Sequence, residues 1–173
     1  MAPKWLHVKC HDGSAGFRVG SARGYSGAQK MRGDAFLGRL TGRWELRGLM
    51  GGIVLHQAVE SRWALGDRFV EMRFRELDGT PYEAAYMVGL DDRSATYVLI
   101  LADSTGVYPN ASAVVGIGQK DGDAVSFRFG DPAPSFINRF EWHEADGSWS
   151  HFLTSIAPDG RATTFATKHL TRI

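Results

Sequence analysis

A recurring pair of small turn-forming residues constrains this chain more than any other feature. Gly66-Asp67, Asp78-Gly79, Asp91-Asp92, Asp121-Gly122, Asp131-Pro132, Asp146-Gly147 and Asp159-Gly160 interrupt runs rich in Val, Thr, Tyr, Phe and Trp. Asp-Gly is a strong hairpin signal, because glycine accepts the positive φ that tight turns require. Short strands at a spacing of roughly 8–12 residues make a sandwich or a barrel. Ten strands are predicted, over 42–49, 53–63, 68–77, 81–90, 95–102, 111–119, 124–130, 135–144, 148–156 and 161–171. Nothing alternates with long helices, so a parallel α/β sheet is excluded.

Ahead of the first strand, Asp34 is placed to cap a short helix through Ala35, Phe36, Leu37 and Leu40. The stretch before it, 1–33, is rich in Gly, Ser, Arg and Lys and lacks periodicity. It reads as an irregular or disordered tail, with a basic arm as the alternative. The domain proper is expected over 34–173. Gly42-Arg43-Trp44 opens it, with Trp44 plugging one end.

Side chains alternate along a strand, so turn positions assign faces. A loop at Gly66-Asp67 sets Arg62 opposite Glu71 and Glu60 opposite Arg73, and turns Leu55, Gln57, Val59, Ser61 and Trp63 inward. A loop at Asp78-Gly79-Thr80 sets Arg75 opposite Glu83, with Val70, Met72, Phe74, Tyr82, Ala84, Tyr86 and Val88 inward. Opposite charges face each other in both hairpins, which supports the registers. Phe127 and Phe129 point in beside Gly116 and Gly118. A two-residue loop at Asp146-Gly147 pairs Trp142 with His151, Phe140 with Leu153 and Asn138 with Ser155. A three-residue turn at Pro158-Asp159-Gly160 pairs Leu153 with Phe165, His151 with Thr167 and Trp149 with His169, and sends Lys168 outward. The strand Thr96 to Ala102 is apolar on both faces.

The inner face is therefore aromatic with a few polar groups. Such a lining is typical of a small-molecule site, the alternative being a solid core whose polar groups satisfy each other. The candidate ligand-binding residues are Trp44, Trp63, Tyr82, Tyr86, Asn138, Trp142, Trp149, His151, Thr167 and His169. No catalytic set stands out. His-Glu-x-x-His and Gly-x-Ser-x-Gly are absent, and Gly116-x-Gly118 lacks a third glycine. His143, His151 and Glu144 cannot share a metal, because alternation separates the two histidines. Asp91, Asp92 and Asp103 are turn residues.

Gly-x-Trp after a short helix, followed by about ten antiparallel strands, resembles the calycin superfamily of lipocalins and fatty-acid-binding proteins. Leu40 to Trp44, Gly89-Leu90-Asp91-Asp92, Asp103-Ser104-Thr105-Gly106 and Lys168 to Arg172 resemble a bacterial DUF1579-type family of unassigned function. These likenesses imply an up-and-down barrel and an internal ligand, and supply no reaction. His169 also resembles in position the proximal ligand of nitrobindin-type haem barrels. There the opening motif continues with glycines, whereas here Glu45-Leu46-Arg47-Gly48-Leu49-Met50 follows.

The totals narrow the partners. A net charge of +1 gives no electrostatic case for nucleic acid. Cys10 is the only cysteine, so no intramolecular disulfide or cysteine-based zinc site forms. No apolar run approaches a membrane span, and no secretory h-region opens the chain. A cytoplasmic binding barrel for a small apolar molecule is expected, with no resident cofactor. The alternatives are haem or cofactor-free catalysis at His151 or His169, and a homodimer built on the doubly apolar strand.

Overall fold

A computed structural model of the chain describes residues 34–79, 81–106, 114–130 and 135–173. The segment 1–33, Thr80, the Asp131-Pro132 turn and the expected start of the sixth strand at 111 lie outside them. The elements run α1 (Ala35–Leu40), β1 (Gly42–Met50), β2 (Ile53–Ala64), β3 (Phe69–Glu76), β4 (Glu83–Asp91), β5 (Thr96–Asp103), β6 (Val115–Asp121), β7 (Ala124–Phe129), β8 (Phe136–His143), β9 (Ser148–Ile156) and β10 (Ala162–Arg172). Each strand pairs antiparallel with its neighbour in sequence, and β1 pairs with β10, which closes an up-and-down barrel of ten strands. Among the described residues, closure gives every strand a partner on both sides. Among the described residues no helix is long and apolar enough to cross a membrane.

The helix begins where Asp34 accepts a hydrogen bond from the Leu37 N–H at 2.8 Å. Its other carboxylate oxygen accepts from the Tyr97 hydroxyl at 2.8 Å, so one side chain both caps α1 and ties it to β5. Burial and the adjacent carboxylate push the Tyr97 phenol well above its ordinary pKa. Phe36, Leu37 and Leu40 are buried. The Phe36 ring sits edge-on to Tyr97 at 5.1 Å and to Trp149 at 5.3 Å. Trp44 and Trp149 are fully buried. They donate their indole N–H groups to the Leu40 carbonyl at 3.1 Å and the Arg39 carbonyl at 3.4 Å, where the helix leaves carbonyls without intrahelical partners. This end of the barrel is a sealed floor.

The early registers match the charge pattern. Arg62 lies opposite Glu71 and pairs with it at 3.1 Å, and Arg75 lies opposite Glu83. Glu60 lies opposite Arg73, although the Arg73 guanidinium turns to Glu71 on its own strand. Phe127 and Phe129 are buried on the lumen side.

The C-terminal hairpins differ from the expected pairing, in two ways. Between β8 and β9 the loop is residues 144–147, not two residues, so Trp142 pairs with Trp149, Phe140 with His151 and Asn138 with Leu153. The Gly147 N–H donates to the His143 carbonyl at 2.9 Å, with Gly147 at φ +65°, and Asp146 accepts from the Ser148 N–H and hydroxyl. A shift of two residues keeps every side chain on its face.

Between β9 and β10 the change is larger. The ladder runs regularly from Ala162–Ile156 to Thr164–Thr154, then skips Phe165 and resumes with Ala166–Leu153, Lys168–His151 and Leu170–Trp149. Phe165 is the extra residue of a β-bulge. Past it the inner and outer faces of β10 exchange. Ala166, Lys168 and Leu170 are buried, whereas Thr167 and His169 are exposed on the outside. The exchange carries two apolar side chains into the core, and Lys168 goes with them. It is accommodated by Gly48, which lies opposite Lys168 on β1. A Cβ there would come within 2.3 Å of the Thr167 carbonyl oxygen and 2.7 Å of the Lys168 Cα.

Candidate functional site

Strand direction gives the barrel two unlike ends. The end away from α1 carries the β1–β2, β3–β4 and β9–β10 turns, and its rim is apolar and wet. Leu49, Ile53, Val54, Leu77 and Phe165 are all exposed there. Phe136 packs between Phe129 and Phe165, at ring separations of 5.2 and 6.1 Å.

Below the rim, polar side chains face the lumen. Asn138 and His151 are fully buried, and His151 Nε2 lies 2.7 Å from Asn138 Oδ1. Burial, with the Lys168 ammonium nearby, holds His151 well below the usual histidine range. The ring is therefore neutral, donates its Nε2 proton to Asn138, and keeps a bare lone pair on Nδ1. It stacks on Phe140 at 4.2 Å and 8°. Phe74 and Tyr86 close the ring cluster at 6.4 and 6.1 Å from the imidazole. Toward the mouth, Glu76 accepts from the Gln57 side-chain amide at 2.9 Å and from the His56 backbone N–H at 3.1 Å.

Four buried atoms in this interior have no hydrogen-bond partner within the protein among the described residues: Gln57 Oε1, Ser61 Oγ, Asn138 Nδ2 and His151 Nδ1. A buried polar group left unpaired costs on the order of 1–3 kcal/mol. Lys168 adds to the tension. It is buried, and burial lowers its pKa to about 8, with Glu76 as the countercharge opposing that fall.

The ten expected site residues thus separate into four places. Trp44, Trp63, Trp142 and Trp149 belong to the floor. Trp142 packs on Trp149 at 5.0 Å and donates its N–H to Glu144, while Arg39 covers its ring. Tyr86, Asn138 and His151 converge in the lumen. Tyr82 is half-buried at the mouth. Thr167 and His169 lie outside the barrel wall, the His169 ring 6.3 Å from that of His143 on the outer face. His169 therefore cannot ligate a porphyrin held in the lumen. Glu76 and Lys168 were not among the expected residues, and Gln57 was expected only as a polar member of the inner face. The alternation Ala166-x-Lys168-x-Leu170 was the available signal, masked by the equally regular Phe165-x-Thr167-x-His169.

Two other surfaces stand out. A groove of about 390 Å³ lies on the outer wall, floored by Ala58, Ala85 and Ala102 and flanked by Arg73, Arg75 and Glu83. It does not communicate with the polar cluster through any residue of that cluster. Beside it, the outward side chains of β4 to β6 make an apolar strip. Met87 lies opposite Ile100, Ile100 opposite Val115 and Val98 opposite Ile117, with Ile100 and Ile117 40% and 49% exposed.

Fold and site together define a closed ten-stranded antiparallel barrel with a helix-sealed floor and a polar cluster inside. No protein-family model matches the chain, and no curated protein matches it. Its fold is similar to that of solved structures, among them Rv2717c from M. tuberculosis, at a TM-score of 0.55 and 17% identity over 81% of this chain and 98% of that one. A likeness at that identity shows a shared barrel. The calycin and DUF1579-type likenesses rest on the motifs alone.

Proposed function

We propose that the chain is a non-enzymatic binding barrel for a small, mostly apolar molecule. The ligand enters at the end opposite α1 and sets its polar end among Asn138, His151 and Gln57. The observation that carries this reading is the set of buried, unpartnered polar atoms beneath an apolar, exposed rim. A ligand with one polar group would satisfy atoms that the protein itself leaves unpaired, while its apolar part covers the rim residues. The test is displacement of an environment-sensitive apolar dye by a panel of small alcohols and aromatics, with the Asn138 side-chain amide resonances as the site reporter. Binding that moves those resonances is expected. A panel that neither displaces dye nor shifts Asn138 overturns the reading.

The apolar strip on β4 to β6 supports a second reading, a homodimer joined through the outer wall. Placing a charge at its centre with Ile100→Glu would convert a dimer to a monomer in light scattering. A wild-type monomer at high concentration removes this reading.

A further inference from the structure

We propose that Lys168 is a nucleophile that condenses with the aldehyde group of a small apolar molecule and holds it in the lumen as an imine. The inference rests on the binding role above and names the functional group that the site takes.

Geometry carries it. The β-bulge at Phe165 turns Lys168 into the barrel, and the side chain lies between Ala166 and Leu170 on the buried face of β10. Its partner across the ladder is His151. The groups that face it are Glu76 at the mouth and the His151 ring. No described residue hydrogen-bonds or ion-pairs its ammonium. Gly48, directly opposite on β1, contributes no side chain at this level. A lysine so placed is poorly solvated, and burial brings its pKa to about 8, so roughly a tenth of it is the free amine at pH 7.

The surrounding lone pairs select a neutral carbonyl over an acid. Gln57 Oε1 and His151 Nδ1 are unpartnered acceptors, and Glu76 carries a carboxylate. A ligand carboxylate would gain the Lys168 ammonium but meet all three as repulsive neighbours, whereas a neutral aldehyde avoids that repulsion and presents its carbonyl carbon to the free amine. In the step, the Lys168 nitrogen lone pair forms a bond to the carbonyl carbon and the C=O π pair moves to oxygen. The nitrogen gives up a proton to the neighbouring His151 Nδ1 lone pair, which passes it to the alkoxide oxygen and so completes the carbinolamine. The carbinolamine then loses water to give C=N. No electrons are gained or lost overall, and Glu76 remains to balance the iminium.

The test is reductive trapping. The full chain is incubated with hexanal and cyanoborohydride, followed by intact mass and peptide mapping, with hexan-1-ol run in parallel in the dye-displacement assay. Hexanal is expected to add one alkyl group at Lys168, at least about tenfold faster at pH 7 than at the exposed Lys120, because burial leaves more of the Lys168 amine unprotonated than an ordinary lysine side chain. Lys168→Met should abolish that product, whereas Lys120→Met, on the exposed surface, should leave both the Lys168 product and dye displacement by hexan-1-ol unchanged. Alkylation at other amines with Lys168 unmodified, while hexan-1-ol still displaces the dye, overturns the imine and leaves the binding role standing. No displacement by either compound and no Lys168 product overturns both.

Discussion

The two ends of this barrel solve opposite problems with the same strands. At the floor, the polar groups around α1 have protein partners, although the Ser61 Oγ on β2, opposite Gly42, is left without one. The indole N–H groups of Trp44 and Trp149 reach helix carbonyls, Asp34 serves both Leu37 and Tyr97, and Arg39 bridges to Asp123 and Glu144 at 3.0 and 2.7 Å. In the half toward the mouth, the polar groups are as deeply buried yet incompletely paired. Gln57, Asn138 and His151 each keep one unused atom, and Lys168 keeps a charge away from water. The floor is organised for stability. The mouth half gives up stability, and such local costs gather where a protein binds or reacts.

Truncating the floor should show the largest effect. Trp149→Ala removes a fully buried indole that touches Phe36, Phe140 and Trp142. A loss of about 3–5 kcal/mol in urea unfolding is expected, as for other large aromatic truncations. A loss below about 1 kcal/mol would mean that the floor is not the stabilising end.

The mouth half should respond in the opposite direction. The lysine pKa falls from 10.5 to about 8 in the fold. The folded state therefore binds fewer protons than the unfolded state between those values, and wild-type stability rises with pH across that window. Below pH 8 both states are protonated and the cost is fully present. Lys168→Met should stabilise the protein at pH 7 by on the order of 3 kcal/mol, with the gain shrinking as pH climbs toward 10.5. A destabilised variant, or a gain that does not change with pH, would show that Lys168 is compensated where it lies.

The smallest expected effect tests the link between helix and barrel. Asp34→Ala removes the cap of α1 and the acceptor for Tyr97, for a loss of about 1–2 kcal/mol. Asp34→Asn, which keeps a capping oxygen, should recover most of it. In the same variant the Tyr97 titration should move back toward its ordinary value, because a neighbouring negative charge is gone.

Much of this was legible in the residues. The turn pairs located all ten strands, Asp34 announced the helix, and charges facing each other across two hairpins fixed the faces of β2, β3 and β4. These signals are local, and each reports a backbone preference or a cross-strand pair that needs little help from the rest of the chain. The floor and the lumen could not be separated in this way. Trp44, Trp142, Asn138 and His151 all share the inward period, and period alone does not give height along the barrel axis.

The last strand marks the limit most clearly. Its sequence offers two alternations, Phe165-Thr167-His169 and Ala166-Lys168-Leu170, and a regular hairpin selects the first. By itself the sequence determined that β10 exists, where it starts and ends, and that it closes on β9. Only the closed barrel decided which face looks inward. Leu170 had to reach Trp149 in the core, and the glycine at 48 let β1 approach closely enough to take the bulged strand. One extra residue at Phe165 inverts everything after it, because strand side chains alternate with a period of two. That inversion put Thr167 and His169 on the outer wall and turned Lys168 into the lumen.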